Sequence, residues 1–417
     1  MQLSNFGKNI VSVFRAAALA QLIPMIGYIV IAFYVLPKEF GIFAIWLGIV
    51  KMISIISSLR LEVSLFNEKD GTARDRSVII ITYVSLIISI VMSLPISMGY
   101  YLKPLSAENL SLISWIFILP CSFLLSIDNN IRDWSRADGR YDDLNKIRLA
   151  QAVLITSLQM ILITINPSSD SLIIGQFTGS LFGIIYANKL KPLKFFFYKQ
   201  ICMEIRNYII KHKRFITYTF PADAISTLLA QMPLWVFGTR FGLDASGQLA
   251  LALRTMKAPA ALIGNSIQDV FIRQAMKDLE NLGNCKDLFK RTFLFLFFGA
   301  LAFFAISFFF VEELFVLFFG EVWSEAGHYA FYLTPLFAIG FISSPLSILI
   351  LIIKRQDIDF IWHLILLPLV FVSFVLPYTD TDTLLSYVCV FSFMHVVYIF
   401  LTHRLSRGGY LFDFAKS

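Results

Sequence analysis

From Phe293 to Val311 the chain runs nineteen residues without a charged side chain. A run of that length matches the ~20 residues a helix needs to cross roughly 30 Å of hydrocarbon. Its continuity excludes the short alternating strands of a membrane β-barrel. Twelve such stretches are read along the 417 residues, at about 10–35, 40–66, 77–100, 108–130, 145–166, 170–188, 216–239, 245–272, 291–311, 324–353, 358–377 and 383–402. Residues of the AVILMFWYC set make up 57% of the chain and charged residues 15%, against about 45–50% and 25% in soluble domains. A soluble fold has no means of hiding that much apolar surface, and a disordered chain is far less apolar. The expected fold is all-α: a polytopic membrane protein with twelve transmembrane helices.

The first apolar run continues too long for the core of a cleavable signal peptide and is read as a first anchor. Cys121, Cys202, Cys285 and Cys389 lie far apart with no metal-ligand spacing, so they read as small apolar filler. Lys and Arg gather on alternate connections. Lys69, Arg74 and Arg76 lie on one; Arg132, Arg136, Arg140 and Lys146 on the next; eight more fall between Lys189 and Arg214. Arg273, Lys277, Lys286 and Lys290 continue the series, while the opposite side receives only Lys38, Lys103 and Arg240. By the positive-inside rule this asymmetry puts both termini in the cytoplasm with an even number of spans. The longest polar connection, 189–215, falls near the midpoint. It is read as a basic linker dividing an N-terminal lobe (1–200) from a C-terminal lobe (201–417), with six helices in each; its charge marks either a positive-inside, lipid-facing amphipathic segment or a site for a partner or anionic lipid.

Equal halves suggest a duplication. Helix two opens Gly41-Ile42-Phe43-Ala44 and helix eight opens Gly247-Gln248-Leu249-Ala250. Ten residues beyond each glycine stands a lysine, Lys51 and Lys257, and twenty-one beyond stands a polar residue, Glu62 and Gln268. At 100° per residue Lys51, Ser54, Ser58 and Glu62 share one face of helix two. Arg254, Lys257, Ala261, Gly264 and Gln268 do the same on helix eight. A rise of 1.5 Å per residue puts each lysine about 15 Å past its glycine, close to the midplane. A cation there costs roughly 2.5–3.5 kcal/mol on insertion scales. Lys51, Lys257 and Arg254 are therefore expected to line a wet cavity, with Arg15, inside helix one, a weaker candidate. Arg60, off the stripe near the helix end, reads as a snorkelling side chain. Asp223 follows Pro221 and either counters a cavity lysine or caps a broken helix. Glu62, if partly buried, is a candidate for binding and releasing protons, with a plain partnership to Arg60 or cytoplasmic water as the equal alternative. His363 and His395 read as satisfied interior histidines, and Gly175, Gly179 and Gly183 as a close-packing face.

No phosphate-binding glycine loop, no histidine-rich metal motif and no nucleophile paired with a base is present in the sequence. Neither an enzyme nor a nucleic-acid partner is expected, and no cofactor or metal. A transporter of this kind draws on an ion gradient or on the gradient of its own solute.

Several local patterns carry a resemblance. They are Leu59-Arg60-Leu61-Glu62 at the end of helix two, Arg136 to Asp143 with Gly139-Arg140-Tyr141, Arg254 to Pro259 followed by Val270-Phe271, and Phe319-Gly320-Glu321-x-Trp323. Together with twelve spans in two halves, they resemble the polysaccharide transporters of the multidrug/oligosaccharidyl-lipid/polysaccharide (MOP) exporter superfamily, which includes the MATE exporters. The similarity is greatest to O-antigen flippases; the lipid II flippase branch, usually of fourteen helices, fits less well. The resemblance implies transport of undecaprenyl-pyrophosphate-linked oligosaccharide across a bacterial inner membrane by alternating access. It also implies a polymerase and a chain-length regulator as partners. A pyrophosphate head with roughly two or more negative charges suits Lys51, Arg254 and Lys257. Helix seven carries no mid-membrane cation. The rival on the same fold is a cation-coupled drug exporter, and the rival of another class is a membrane enzyme of glycan assembly.

Overall fold

The computed structural model describes residues 22–68, 71–92, 95, 98, 110–192, 201–353 and 355–408. Among these the regular structure is helical throughout. Seven of the helices are long and apolar enough to cross a membrane by length and composition. The chain packs as two compact units, Met1–Ala250 and Leu251–Ser417.

The first unit contains α1 (Leu22–Tyr34), α2 (Pro37–Ser58), α3 (Thr72–Val91), α4 (Leu112–Ala137), α5 (Tyr141–Ile165), α6 (Ser169–Leu190), α7 (Ile201–Lys211) and α8 (Phe220–Arg240). Pro37 starts α2 from an extended Leu36, where its missing N–H and fixed φ cost nothing. The helix was expected to continue to about residue 66, but it stops at Ser58. Leu59 and Arg60 both take left-handed backbone conformations, φ 49° and 54°. Just before them the Ser57 and Ser58 hydroxyls donate back to the carbonyls of Ile53 and Ile55, a contact that weakens regular helix. A 3-10 turn, Leu61–Asn67, follows, so Glu62 is carried by that turn and not by the helix bearing Lys51.

Polar side chains join the helices of this unit. Ser89 donates to Ser57 at 3.1 Å, Ser126 to Ser85 at 2.9 Å, and Asn130 to Thr82 at 3.1 Å. Trp46 Nε1 donates to the Ser114 carbonyl at 2.8 Å. Such bonds are the adhesive between helices that gain nothing from apolar burial in lipid. α5 and α6 meet along the expected glycine face: a Cβ on Gly175, Gly179 or Gly183 would strike Gln159, Ile155 or Gln151. Arg74, nearly fully buried, donates to the carbonyls of Leu65, Glu68 and Ala137 and pairs with Asp138 at 2.6 Å. It thereby clamps the 3-10 turn to the end of α4.

α9 (Leu243–Leu282) begins in the first unit and continues into the second, which adds α10 (Lys286–Phe319), α11 (Ser324–Ile352), α12 (Gln356–Val375) and α13 (Asp380–Ser406). α11 supplies the interior, with Ala326, Tyr329, Leu333, Leu346 and Leu349 at 1% exposure or less. Tyr329 donates to Asp380 and Tyr398 to Asp359, both at 2.5 Å. His395 shares a hydrogen bond with Ser343 at 2.9 Å, and His363 Nδ1 donates to the Asp359 carbonyl at 2.9 Å. Both histidines are thus satisfied. α10 turns Phe295, Phe298 and Phe309 outward, each about two-thirds exposed, as suits a helix facing acyl chains. The four cysteines are free thiols.

Candidate functional site

The two glycines that open the repeat meet. A Cβ on Gly41 would lie 2.9 Å from the Gly247 nitrogen, and one on Gly247 would lie 3.0 Å from the Gly41 nitrogen. The same two positions abut the carbonyls of Leu243 and Pro37, the residues four places before Gly247 and Gly41 respectively. This contact is reciprocal, each helix presenting the same register to the other, as expected of two copies of one unit about a pseudo-twofold axis. Only glycine lets two backbones approach that closely. Beside the crossing, Trp235 Nε1 donates to the Ile45 carbonyl at 3.3 Å, and the Trp235 ring fills the space where a side chain at Gly48 would stand.

From this crossing the two lysines stand ten residues along their own helices, about 15 Å by helix rise. Lys51 on α2 is exposed, as is Lys257 on α9, while Arg254 on α9 is half-buried. Lys51 belongs to the first compact unit, Arg254 and Lys257 to the second. Arg15 lies outside the described residues.

Glu62 and Asp223 come together through a residue that was read as a snorkelling cation. Arg60 Nε donates to Asp223 Oδ2 at 2.5 Å, and its Nη1 to Glu62 Oε1 at 3.0 Å. Asp223 thus pairs with Arg60 from the start of α8, which has no side-chain cap. Glu62 is only 1% exposed, and its second carboxylate oxygen, Oε2, has no hydrogen-bond partner. Asp133 adds a negative field to the pair. The bridge joins two irregular places: the left-handed end of α2, and the start of α8, where a π turn at Phe215–Thr219 runs into Pro221. Non-glycine residues held at positive φ cost of order 1–3 kcal/mol each and concentrate where chains switch.

Within the first unit a cavity of about 160 Å³ is lined by Pro24, Tyr28, Phe43, Thr156, Gln159 and Gln176 among others, none of them charged. A cationic solute or coupling ion would find no carboxylate among these lining residues. Among the described residues no cluster of His, Cys, Asp and Glu has the makings of a metal site.

The model of the polysaccharide biosynthesis protein family matches residues 30–328. The chain belongs to this family. Solved structures give the fold. A lipid II flippase, MurJ, in an inward-closed conformation aligns with a TM-score of 0.72 at 16% identity, covering 94% of this chain and 87% of that one. A MOP-superfamily transporter from Pyrococcus furiosus, described as having a binding pocket of reversed polarity, gives 0.61 at 12% identity, covering 95% of each chain. The Vibrio cholerae MATE transporter VcmN, as a mutant, gives 0.59 at 14%, covering 96% and 97%. No curated protein matches the sequence directly. Membership of the polysaccharide biosynthesis protein family thus goes with seven helices long and apolar enough to cross a membrane and with a fold shared with these transporters and this flippase.

Sequence reasoning located the lysines, the acidic pair and the crossing glycines as separate signals. Arg60 was weighed as a partner of Glu62 but not as the link between Glu62 and Asp223. Its partner Asp223 is 163 residues away, and only the Arg-x-Glu pattern at the end of α2 marked the place.

Proposed function

We propose that this protein flips a polyprenyl-pyrophosphate-linked oligosaccharide, an O-antigen or related surface-polysaccharide unit, from the cytoplasmic to the periplasmic leaflet of a bacterial inner membrane. Both termini lie in the cytoplasm in this reading. One observation carries it: two cations of opposite halves, Lys51 and Lys257, occupy the same register beyond a shared glycine crossing. Cations held at membrane depth are costly and mark a substrate path. With Arg254 and Arg15 they suit a desolvated pyrophosphate, whose oxygens need charged donors. The N-terminal lobe (1–200) and C-terminal lobe (201–417) alternate access by rocking. The sugar chain passes through the wet path and the polyprenyl tail stays in lipid. A polymerase and a chain-length regulator are the partners such a product requires.

Glu62 and Asp223 are the candidates for ion coupling. A proton on either carboxylate removes a charge that holds Arg60 and loosens the tie between the end of α2 and the start of α8. A proton gradient would thereby act on the conformational cycle. The rival reading, a cation-coupled drug exporter, is disfavoured because the conspicuous mid-helix charges are positive. The test is flipping of a fluorescent undecaprenyl-pyrophosphate oligosaccharide in reconstituted vesicles, compared with efflux of a cationic dye. Dye transport without lipid flipping would select the exporter.

A further inference from the structure

From Ile201 onward the basic linker is not a loose strap. Its helix α7 has two faces with different owners. Inward, Tyr208 is buried and shares a 2.7 Å hydrogen bond with Ser64 of the 3-10 turn, with Ile205 and Ile209 packed beside the same core. Glu204 pairs with Arg76 on α3. Just beyond α7, His212 Nε2 meets Glu68 at 2.7 Å, and Lys211 donates to the same carboxylate at 2.5 Å. The inner face is thus fully engaged by the first unit.

The outer face is a different surface. Met203 and Ile210 are 56% and 57% exposed, and at 100° per residue they fall with Arg206 within about 60° of one another. Arg206, Lys213 and Arg214 are all exposed. Apolar side chains and cations sharing one exposed face, on a short helix packed by its other face against membrane helices, describe a segment lying in a lipid interface. We infer that this face docks on the headgroups of anionic phospholipids in the adjoining leaflet, and that the docking sets the conformation of the turn carrying Glu62. Charge complementarity selects the occupant: Arg206 on this face, with Lys213 and Arg214 exposed just beyond the helix and no acid among them, matches a leaflet rich in phosphatidylglycerol-type lipid. The path inward is continuous, from α7 through Tyr208–Ser64 and His212–Glu68 to the 3-10 turn, and from Arg60 in front of that turn to Asp223 on α8. The inference rests on the proposed orientation, which puts this end of the helices at the anionic cytoplasmic leaflet.

The test uses the full chain in vesicles. Cys202, exposed beside the outer face, takes a polarity-sensitive fluorophore once Cys389→Ser removes the other exposed thiol. Adding phosphatidylglycerol to phosphatidylcholine vesicles should shift the emission toward an apolar environment, and high salt should reverse the shift. Arg206→Glu, Lys213→Glu and Arg214→Glu together should abolish it, while neutralising any one of them to Gln should weaken lipid affinity about five-fold. The flipping rate of the wild type should rise with phosphatidylglycerol, and Tyr208→Phe should keep the emission shift while losing that rise. Emission indifferent to lipid charge would overturn the inference, as would an unaltered response in the triple variant. If emission stays unmoved until another protein is added, the face belongs to a protein partner and the inference fails. The emission readout needs no substrate, so a failure of the flippase reading leaves it standing and is told apart by transport alone.

Discussion

Gly247→Ala is the most informative single change in the first unit. Its Cβ would lie 2.7 Å from the Pro37 carbonyl carbon and closer still to the carbonyl oxygen. Carbon atoms rest at about 3.5–4.0 Å, so the two helices must part by roughly 1 Å. The obstacle is backbone on both sides and has no rotamer to escape into. Overpacking of this kind costs typically 1–3 kcal/mol, and the rigid case belongs at about 3. Alanine returns about 1 kcal/mol through helix propensity, leaving a net loss of about 2 kcal/mol, or roughly 30-fold in the folding equilibrium. Gly340→Ala is the control: nothing lies within 4 Å of its Cβ, so only the propensity gain remains and the protein should hold or rise slightly in stability. Chemical unfolding in detergent, followed by near-UV circular dichroism, measures both. The double variant Gly41→Ala/Gly247→Ala should fall short of the sum of the singles, because the first alanine has already parted the helices. Equal stability of Gly247→Ala and Gly340→Ala would refute the close crossing, and with it the structural basis of the repeat.

Arg60→Ala should destabilise the protein by about 3 kcal/mol, the low end for breaking a buried ion pair, because the Arg60 side chain is a quarter exposed while Glu62 is buried. Glu62→Gln, which leaves no buried charge behind, should cost clearly less; the reverse order in an unfolding assay would contradict the pairing. The dock of α7 should loosen with acid. Burial works to raise the Glu68 carboxyl, but Lys211 and His212 outweigh it and hold it below its ordinary value; burial pushes the His212 imidazole down despite Glu68. Both groups bind protons more readily in the unfolded chain, so their contribution is complete above about pH 6.5 and is lost as the pH falls. Amide exchange at Tyr208 should therefore be slow above neutral pH and accelerate in acid relative to its intrinsic rate. His212→Gln should remove the higher-pH part of that change, whereas protection that grows on acidification would contradict it.

What could be read from the chain was what depends on local pattern. Charge-free runs such as Phe293 to Val311 announce a membrane helix because the bilayer demands every backbone bond be internal, and the spacing of Gly175, Gly179 and Gly183 announces a close helix pair. The end of α2 was not readable: left-handed turns are usually marked by glycine or asparagine, and here Leu59 and Arg60 take that role under tertiary constraint. The linker's charge was legible but its anchorage was not, since Tyr208 and His212 acquire partners only when Ser64 and Glu68 fold beneath them. The matched register of Gly41 and Gly247 was visible in the letters, while their direct contact needed the structure. Arg60 was misjudged for the same reason: position along a helix predicts reach toward water, not a carboxylate supplied by α8.

In the proposed function Lys51 and Lys257, at matching register on their own helices, carry a pyrophosphate-linked glycan through the membrane. The direct measurement is the rate at which vesicles containing the purified protein flip a fluorescent undecaprenyl-pyrophosphate oligosaccharide, with wild type set against Lys51→Ala/Lys257→Ala at matched incorporation. The wild type should flip the lipid rapidly, and the double variant at a rate indistinguishable from empty vesicles. Flipping by the double variant at the wild-type rate would contradict the proposal.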